Sequence, residues 1–291
     1  LQSEEFKALW DRIKHQTTYR VDFDNEKLIG DCIDNLQKAP AVFRPRLQWR
    51  KADLAIGKSG VEANEKKGAY TVTLDESDIE LPDILTDLQD RTQLTRRTLV
   101  RILTESNRLD DFKRNPQQFI ELAGEIINRG KRLALVDGIR YVKLGDDNFY
   151  AQELFEQQEL TGYLKNMLLN TEKSVYEHVV YDSAIERDFA QALEHNDAVK
   201  VYAKLPGWFR IPTPLGSYNP DWAILVEQDG AERLYFVVET KSSLFNDDLR
   251  PIEQAKIDCG TAHFDLLATD EASLRFGRAS SVDDVIAGRL N

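Results

Sequence analysis

The chain has 291 residues, enough for about two domains with substantial hydrophobic cores. It is 42% hydrophobic and 30% charged with a formal net charge of −12, which excludes a protein that coats nucleic acid through bulk positive charge but allows a nuclease with a local basic patch. No apolar run approaches the ~18 residues of a membrane span and the acidic, amphipathic start is no signal peptide, so a cytoplasmic protein with no membrane partner is expected.

Residues 3 to 15 predict a helix capped by Ser3, with Phe6, Leu9, Trp10 and Ile13 on one face. "TYRVDFD" (18 to 24) alternates as a strand does, and 25 to 39 return to helical period until Pro40. Residues 41 to 57 and 68 to 76 read as β segments around a polar loop, "KSGVEANEKKG". Within them, "ADLAIGKS" (52 to 59) departs from the phosphate-binding GxxxxGK[ST] pattern only at Ala52. That pattern needs a helix after its loop, and here a strand follows, so nucleotide binding is not expected.

Residues 82 to 90 and 95 to 106 predict two helices around the turn "RTQL", with Thr95 an N-cap. The spacing is helix-turn-helix-like, without the turn glycine. The stretch 91 to 114 is the most basic of the chain. Arg96, Arg97 and Arg101 are candidate DNA-backbone contacts there; a solvated helix face explains the same charges. Residues 115 to 135 read as a helix stopped at Gly130, and 136 to 147 as a strand pair or strand end. Residues 159 to 183 read as a helix followed by a connection. A boundary is expected near residue 170, with 1–170 an α+β connecting domain and 171–291 a second domain.

In the second domain, residues 183 to 196 predict a helix with a Ser183/Glu186 capping box and an apolar face of Ile185, Phe189, Ala192 and Leu193. Residues 199 to 205 are a strand, and 207 to 219 are extended and broken by prolines. Residues 221 to 227 and 233 to 241 are strands joined by an Asp229-Gly230 hairpin turn. Residues 247 to 260 predict a helix ended by Gly260, and 263 to 270 a last buried strand. The order of helix, three strands, helix and strand predicts a mixed α/β (α+β) class with a central mixed sheet flanked by helices.

Cys32 and Cys259 belong to no CxxC pair and read as reduced core thiols. His15, His178, His195 and His263 show no metal-ligand spacing and read as structural or surface residues. The remaining chemistry lies on the hairpin, which brings Asp221 beside Glu239. Glu239 and Lys241 are two apart on one strand and share a face; Thr240 takes the other. Two hard oxygen ligands suit Mg²⁺, with Mn²⁺ able to substitute, and Lys241 can orient or help deprotonate an attacking water. The set fits metal-dependent phosphodiester hydrolysis. A surface hairpin with ordinary end charges shows the same residue types.

Asp221, Glu239 and Lys241 resemble the active-site triad of the PD-(D/E)xK nuclease superfamily. The runs "YAKLPGWFRIPTPLGSYNPDWAILVE", "VVETKSS" and "EQAKIDCGTAHF" resemble the C-terminal nuclease region of the Res subunit of type III restriction enzymes. "FKALWDRIKHQTTYRVDFD" and "DGIRYVKLGDDNFYAQELFE" resemble the segment that joins motor to nuclease in that subunit. The resemblance implies a PD-(D/E)xK restriction-endonuclease-like core that cuts double-stranded DNA. It also implies an N-terminal helicase motor that uses ATP, and a methyltransferase (Mod) subunit as partner. This chain shows no convincing helicase motif and does not open on Met, so it is expected to be the C-terminal part, with ATP serving only the missing motor. Ser242 stands where the family tends to carry Gly.

The superfamily often draws a further acidic ligand from its first helix, which points to Glu186, although the capping box already explains that residue. Gln254 resembles a supporting polar position. Lys204 and Arg210 flank the approach to Asp221 as candidate phosphate contacts, or as ordinary strand-end charges. Two other functions share these features: a non-catalytic DNA-holding or subunit-docking module of the same complex, and another PD-(D/E)xK repair nuclease.

Overall fold

The computed structural model describes residues 3–57, 60–74, 80–145, 147–151, 167–168, 171–228, 232–240, 251–268, 274–287 and 289–290. Helix α1 (Glu4–Ile13) starts where the Ser3 side chain accepts the Phe6 N–H at 3.1 Å, and it buries Phe6, Leu9, Trp10 and Ile13 as expected. Strand β1 (Thr17–Val21) follows, then α2 (Asn25–Lys38), capped by Asp24 through the Lys27 N–H at 2.9 Å.

Strands β2 (Arg46–Gly57) and β3 (Gly60–Thr73) form one long antiparallel hairpin. Residues 60 to 67, expected as loop, are therefore strand; ladder pairing satisfies the backbone groups of 60 to 65 whatever the side-chain polarity, and a register shift follows before Ala69. Lys58 and Ser59 of the GKS run lie outside the described residues. Helices α3 (Ile84–Thr92) and α4 (Arg96–Glu105) follow, and Thr95 caps α4 as expected. At the turn between them Gln93 adopts the left-handed conformation, φ 59°, that the missing glycine would have supplied. Helix α5 (Leu109–Arg114) leads into α6 (Pro116–Gly138).

The expected stop at Gly130 does not occur, and α6 runs on for two turns. A Cβ at Gly130 would lie 2.8 Å from the Cys32 sulfur, so this glycine lets α6 close on α2. The helix ends at Gly138, where a Cβ would run into the Asp22 carbonyl, and the Asp22 N–H donates to the Gly138 carbonyl at 2.9 Å.

Strand β4 (Ile139–Lys143) pairs antiparallel with β1. Residues 159 to 166 of the expected helix lie outside the described residues; Met167–Leu168 form a short strand, β5, paired with β6 (Val179–Val180) rather than helix. Then come α7 (Ala184–His195), β7 (Val199–Lys204), β8 (Trp222–Gln228), β9 (Glu232–Thr240), α8 (Pro251–Leu267), β10 (Leu274–Ala279) and α9 (Val282–Ile286). The expected turn at Asp229-Gly230 lies outside the described residues. On α7 the buried residues are Phe189, Ala190 and Leu193; Ala192 is exposed, contrary to expectation.

Gly260 does not end α8, and residues 263 to 267 are helix, not strand. His263, Phe264 and Leu267 are buried at helical spacing, and the last strand comes only at β10. The glycine is needed for close packing: a Cβ there would meet Tyr218 Cε1 at 2.8 Å and Phe276 Cζ at 2.9 Å.

The sheet has the order β10-β9-β8-β7. Strands β7, β8 and β9 are antiparallel neighbours, whereas β10 is parallel to β9, which makes the sheet mixed. One sheet face packs Val201, Leu225 and Val237 against Trp10 of α1 and Phe264 of α8. The other packs Tyr202, Trp222 and Phe236 against Phe189 of α7 and Val285 of α9. The result is a mixed α/β core with helices on both faces. By packing, the chain divides into one unit of Leu1–Phe23 with Leu135–Asn291 and another of Asp24–Ala134. The boundary expected near residue 170 is a division of sequence; packing divides the chain differently.

Candidate active site

The site forms where β8 begins and β9 ends. Their register pairs Trp222 with Val238, so one residue further Asp221 stands opposite Glu239. The corner before Asp221 is fastened by Asn219, whose Nδ2 donates to the carbonyls of Phe209 at 2.8 Å and Pro206 at 3.2 Å.

Glu239 is 9% exposed and, by strand alternation, shares the α8 face with Val237. The Tyr218 hydroxyl donates to its Oε2 at 2.9 Å. Burial, reinforced by the Glu239 charge, holds the Tyr218 hydroxyl well above its ordinary pKa, so it remains a donor. Tyr218 is itself placed by a backbone pair with Ile211, at 2.8 and 2.9 Å, and by an edge contact with the Phe276 ring.

Asp221 is held by Thr240. The Thr240 N–H and hydroxyl both donate to Asp221 Oδ2, at 2.8 and 2.7 Å. Burial nevertheless raises the Asp221 carboxyl above its ordinary pKa. The Thr240 bonds oppose that rise, Glu186 adds to it and Lys204 subtracts from it. Asp221 is thus a half-buried acid whose negative charge is only partly compensated by the protein.

Glu186, in the first turn of α7, does not complete the expected box on the Ser183 N–H. Its Oε2 accepts from the Asp182 N–H at 3.1 Å and from Lys204 Nζ at 2.6 Å. Lys204, at the end of β7, also reaches Asp182 Oδ2 at 2.8 Å. Burial opposes its charge, but the two carboxylates outweigh burial and hold its pKa above the ordinary lysine value. Beside Lys204 and Asn219 opens a cleft of about 270 Å³, walled by Tyr176, Pro206 and Gly207.

Lys241 and Ser242 lie outside the described residues. Gln254 donates to Asp258 Oδ1, one turn along α8, at 2.8 Å. Arg210 Nε donates to the Gly207 carbonyl at 2.6 Å, within its own loop. In the other unit, Arg96 donates to Thr86 Oγ1 at 2.5 Å and Gln89 Oε1 at 3.2 Å, and Arg101 holds Glu26 through two bonds of 2.8 and 3.1 Å. Arg97 is exposed. Arg108, counted in the same basic stretch, donates to the carbonyls of Leu36, Ala39 and Pro40 and so caps the end of α2.

Tyr218 and Thr240 were not singled out from sequence. By alternation Thr240 faces away from Glu239, yet its N–H and hydroxyl both reach Asp221. Its position between Glu239 and Lys241 was the available signal.

Among the described residues, no group of three or more His, Cys, Asp or Glu forms a metal-binding cluster. Two carboxylates at adjacent strand ends, one of them with a charge the protein only partly compensates, fit a hard divalent cation that keeps most of its waters.

Residues 172–282 match the protein family described as "Endonuclease domain". The chain is also similar to the Res subunits of two type III restriction-modification enzymes, EcoPI of Escherichia phage P1 and EcoP15I of Escherichia coli. Each is 32% identical over 113 residues, which is 38% of this chain and 11% of the relative. The similarity thus spans about a tenth of those relatives. No solved structure matches the chain.

Proposed function

Taking as premise an endonuclease domain at residues 172–282 related to type III Res subunits, we propose that it hydrolyses phosphodiester bonds of double-stranded DNA with Mg²⁺. The observation that carries this reading is the convergence of Asp221 and Glu239 at one sheet end, each carboxylate fixed by a neighbouring hydroxyl.

In this reading Asp221 and Glu239 hold the Mg²⁺, or Mn²⁺ in its place. Bound there, the ion would stabilise charge developing on the phosphate and favour ionisation of the attacking water. The protein contributes preorganisation: Thr240 and Tyr218 fix the two carboxylates before substrate arrives. Lys241, two residues after Glu239, would orient the water or neutralise developing charge. Glu186 is already committed to Lys204 and would join the ion only if that bond opened. Gln254, bonded to Asp258, would support α8 rather than the reacting atoms.

The wider setting is that of a type III restriction-modification enzyme: an ATP-driven motor, a Mod methyltransferase partner and cytoplasmic DNA as substrate. Among the described residues no helix is long and apolar enough to cross a membrane.

The test is calorimetric titration of Mg²⁺ and Mn²⁺, with duplex DNA present, into wild type, Asp221→Ala and Lys241→Ala, with plasmid nicking on the same samples. Nicking lost in both variants while their melting curves persist is the expected result. Undiminished nicking by Asp221→Ala would sink the site; no metal uptake even with DNA would sink the catalytic reading.

A further inference from the structure

Strand β10 is the parallel member of the sheet, and its register sets Arg278 beside Glu239 and Ala279 beside Thr240. The carboxyl ends of β9 and β10 therefore open on one edge, the place where α/β sheets receive ligands. Leu274 and Phe276 of β10 pack into the core on the α8 face. Alternation puts Arg278 on that face too, with Glu239 and Tyr218.

Among the described residues the Arg278 guanidinium has no hydrogen-bond partner. Its Nε is buried without a hydrogen bond, and among the described residues it forms no ion pair. A buried, unsatisfied N–H on a charged group is costly. The nearest carboxylate in register, Glu239, is already taken by Tyr218. The other described cation at the site, Lys204, is held by Asp182 and Glu186. An acidic site that must admit a polyanion needs a positive group free to meet it. A guanidinium, with its planar fork of donors, matches the two oxygens of a phosphodiester.

We propose that Arg278 binds a non-bridging phosphate oxygen of the DNA strand to be cut, at the carboxyl ends of β9 and β10. The proposal rests on the nuclease reading above. It adds a substrate contact absent from the sequence motif, one that can be tested without turnover.

The test uses the full 291-residue chain with Arg278→Gln and Arg278→Lys. Anisotropy of a labelled DNA duplex is measured over a range of KCl, with Ca²⁺ replacing Mg²⁺, beside plasmid nicking in Mg²⁺. Arg278→Gln is expected to bind several-fold more weakly and to lower the slope of log affinity against log salt by about 0.9, the loss of one phosphate contact. Arg278→Lys is expected to keep the slope, because the charge remains, yet to nick at least ten-fold more slowly, because the fork is gone. Melting curves confirm that both variants fold; if only the lysine variant does, its slope and nicking decide.

Asp221→Ala separates the two readings. It should lose nicking and keep the slope. Nicking retained by Asp221→Ala, with the slope change still present in Arg278→Gln, would overturn the nuclease site and leave the phosphate contact standing. A wild-type slope and affinity in Arg278→Gln, or no duplex binding by wild type at low salt, would overturn the Arg278 contact.

Discussion

Thr240 gives both its backbone N–H and its hydroxyl to a single oxygen of Asp221, Oδ2, at 2.8 and 2.7 Å. Two donors on one oxygen fix the direction of the carboxyl but do not cancel the cost of burying its charge, so the Asp221 pKa stays raised. The site is therefore built against its own stability, as preorganised charged sites often are.

Asp221→Asn should expose this conflict. The amide oxygen can still accept from Thr240, and the buried charge is gone. A carboxyl with a raised folded pKa contributes stability that is full below the ordinary value of 3.8 and is lost as pH rises through the folded value. The variant should thus melt higher than wild type near pH 7, with the gap closing as pH falls through the raised pKa. Cleavage should drop by at least ~10²-fold. Thermal melts from pH 3.5 to 8 beside plasmid nicking check both, and a variant that melts lower than wild type at pH 7 contradicts the burial argument.

Gly260 and Tyr218 should be coupled. Tyr218→Phe keeps the ring against Phe276 and loses the bond to Glu239. It should cost about 10- to 100-fold in metal affinity or activity. Gly260→Ala puts a methyl into the Tyr218 and Phe276 rings and should cost about 1–3 kcal/mol of stability as well as activity. Denaturant melts with metal titrations separate the two effects. A Gly260→Ala protein as stable as wild type would mean that the rings yield freely.

The basic stretch around α4 divides by partner. Arg96 and Arg101 are occupied by Thr86, Gln89, Glu26 and Glu105, whereas Arg97 is exposed and extends from the same helix. If this face meets DNA, Arg97→Glu should weaken duplex binding and flatten its salt dependence by about one contact, more than Arg101→Glu does. Equal salt slopes in wild type and Arg97→Glu would leave α4 as a solvated face.

The features readable in the sequence were the local ones. Ser3, Thr95 and Ser183 begin helices because a cap is decided within three residues. The nearness of Asp221 and Glu239 could be inferred because a hairpin register needs only its two strands. The features hidden from the sequence are non-local. Gly130 and Gly260 looked like helix stops, but each is a glycine because a distant side chain presses on it: Cys32 on one, Tyr218 and Phe276 on the other. The run from His263 to Leu267 fits a strand as well as a helix in sequence, because a short buried apolar run suits either period. Tyr218 and Arg278 could not be placed at the site, since their approach depends on α8 and on the parallel pairing of β10, which no short motif encodes.

The first helix bears on how the nuclease can be divided. Trp10 and Ile13 of α1 cover the sheet face that holds Val201, Ala203 and Leu225, and Thr17 Oγ1 meets the buried His263 ring at 2.9 Å. The family match begins at residue 172, but a piece cut there would leave that face bare to water and prone to stick to itself. The matched stretch is thus no portable cassette. Its sheet is roofed by residues that precede it by more than a hundred and fifty positions, and any transplant must carry that roof along.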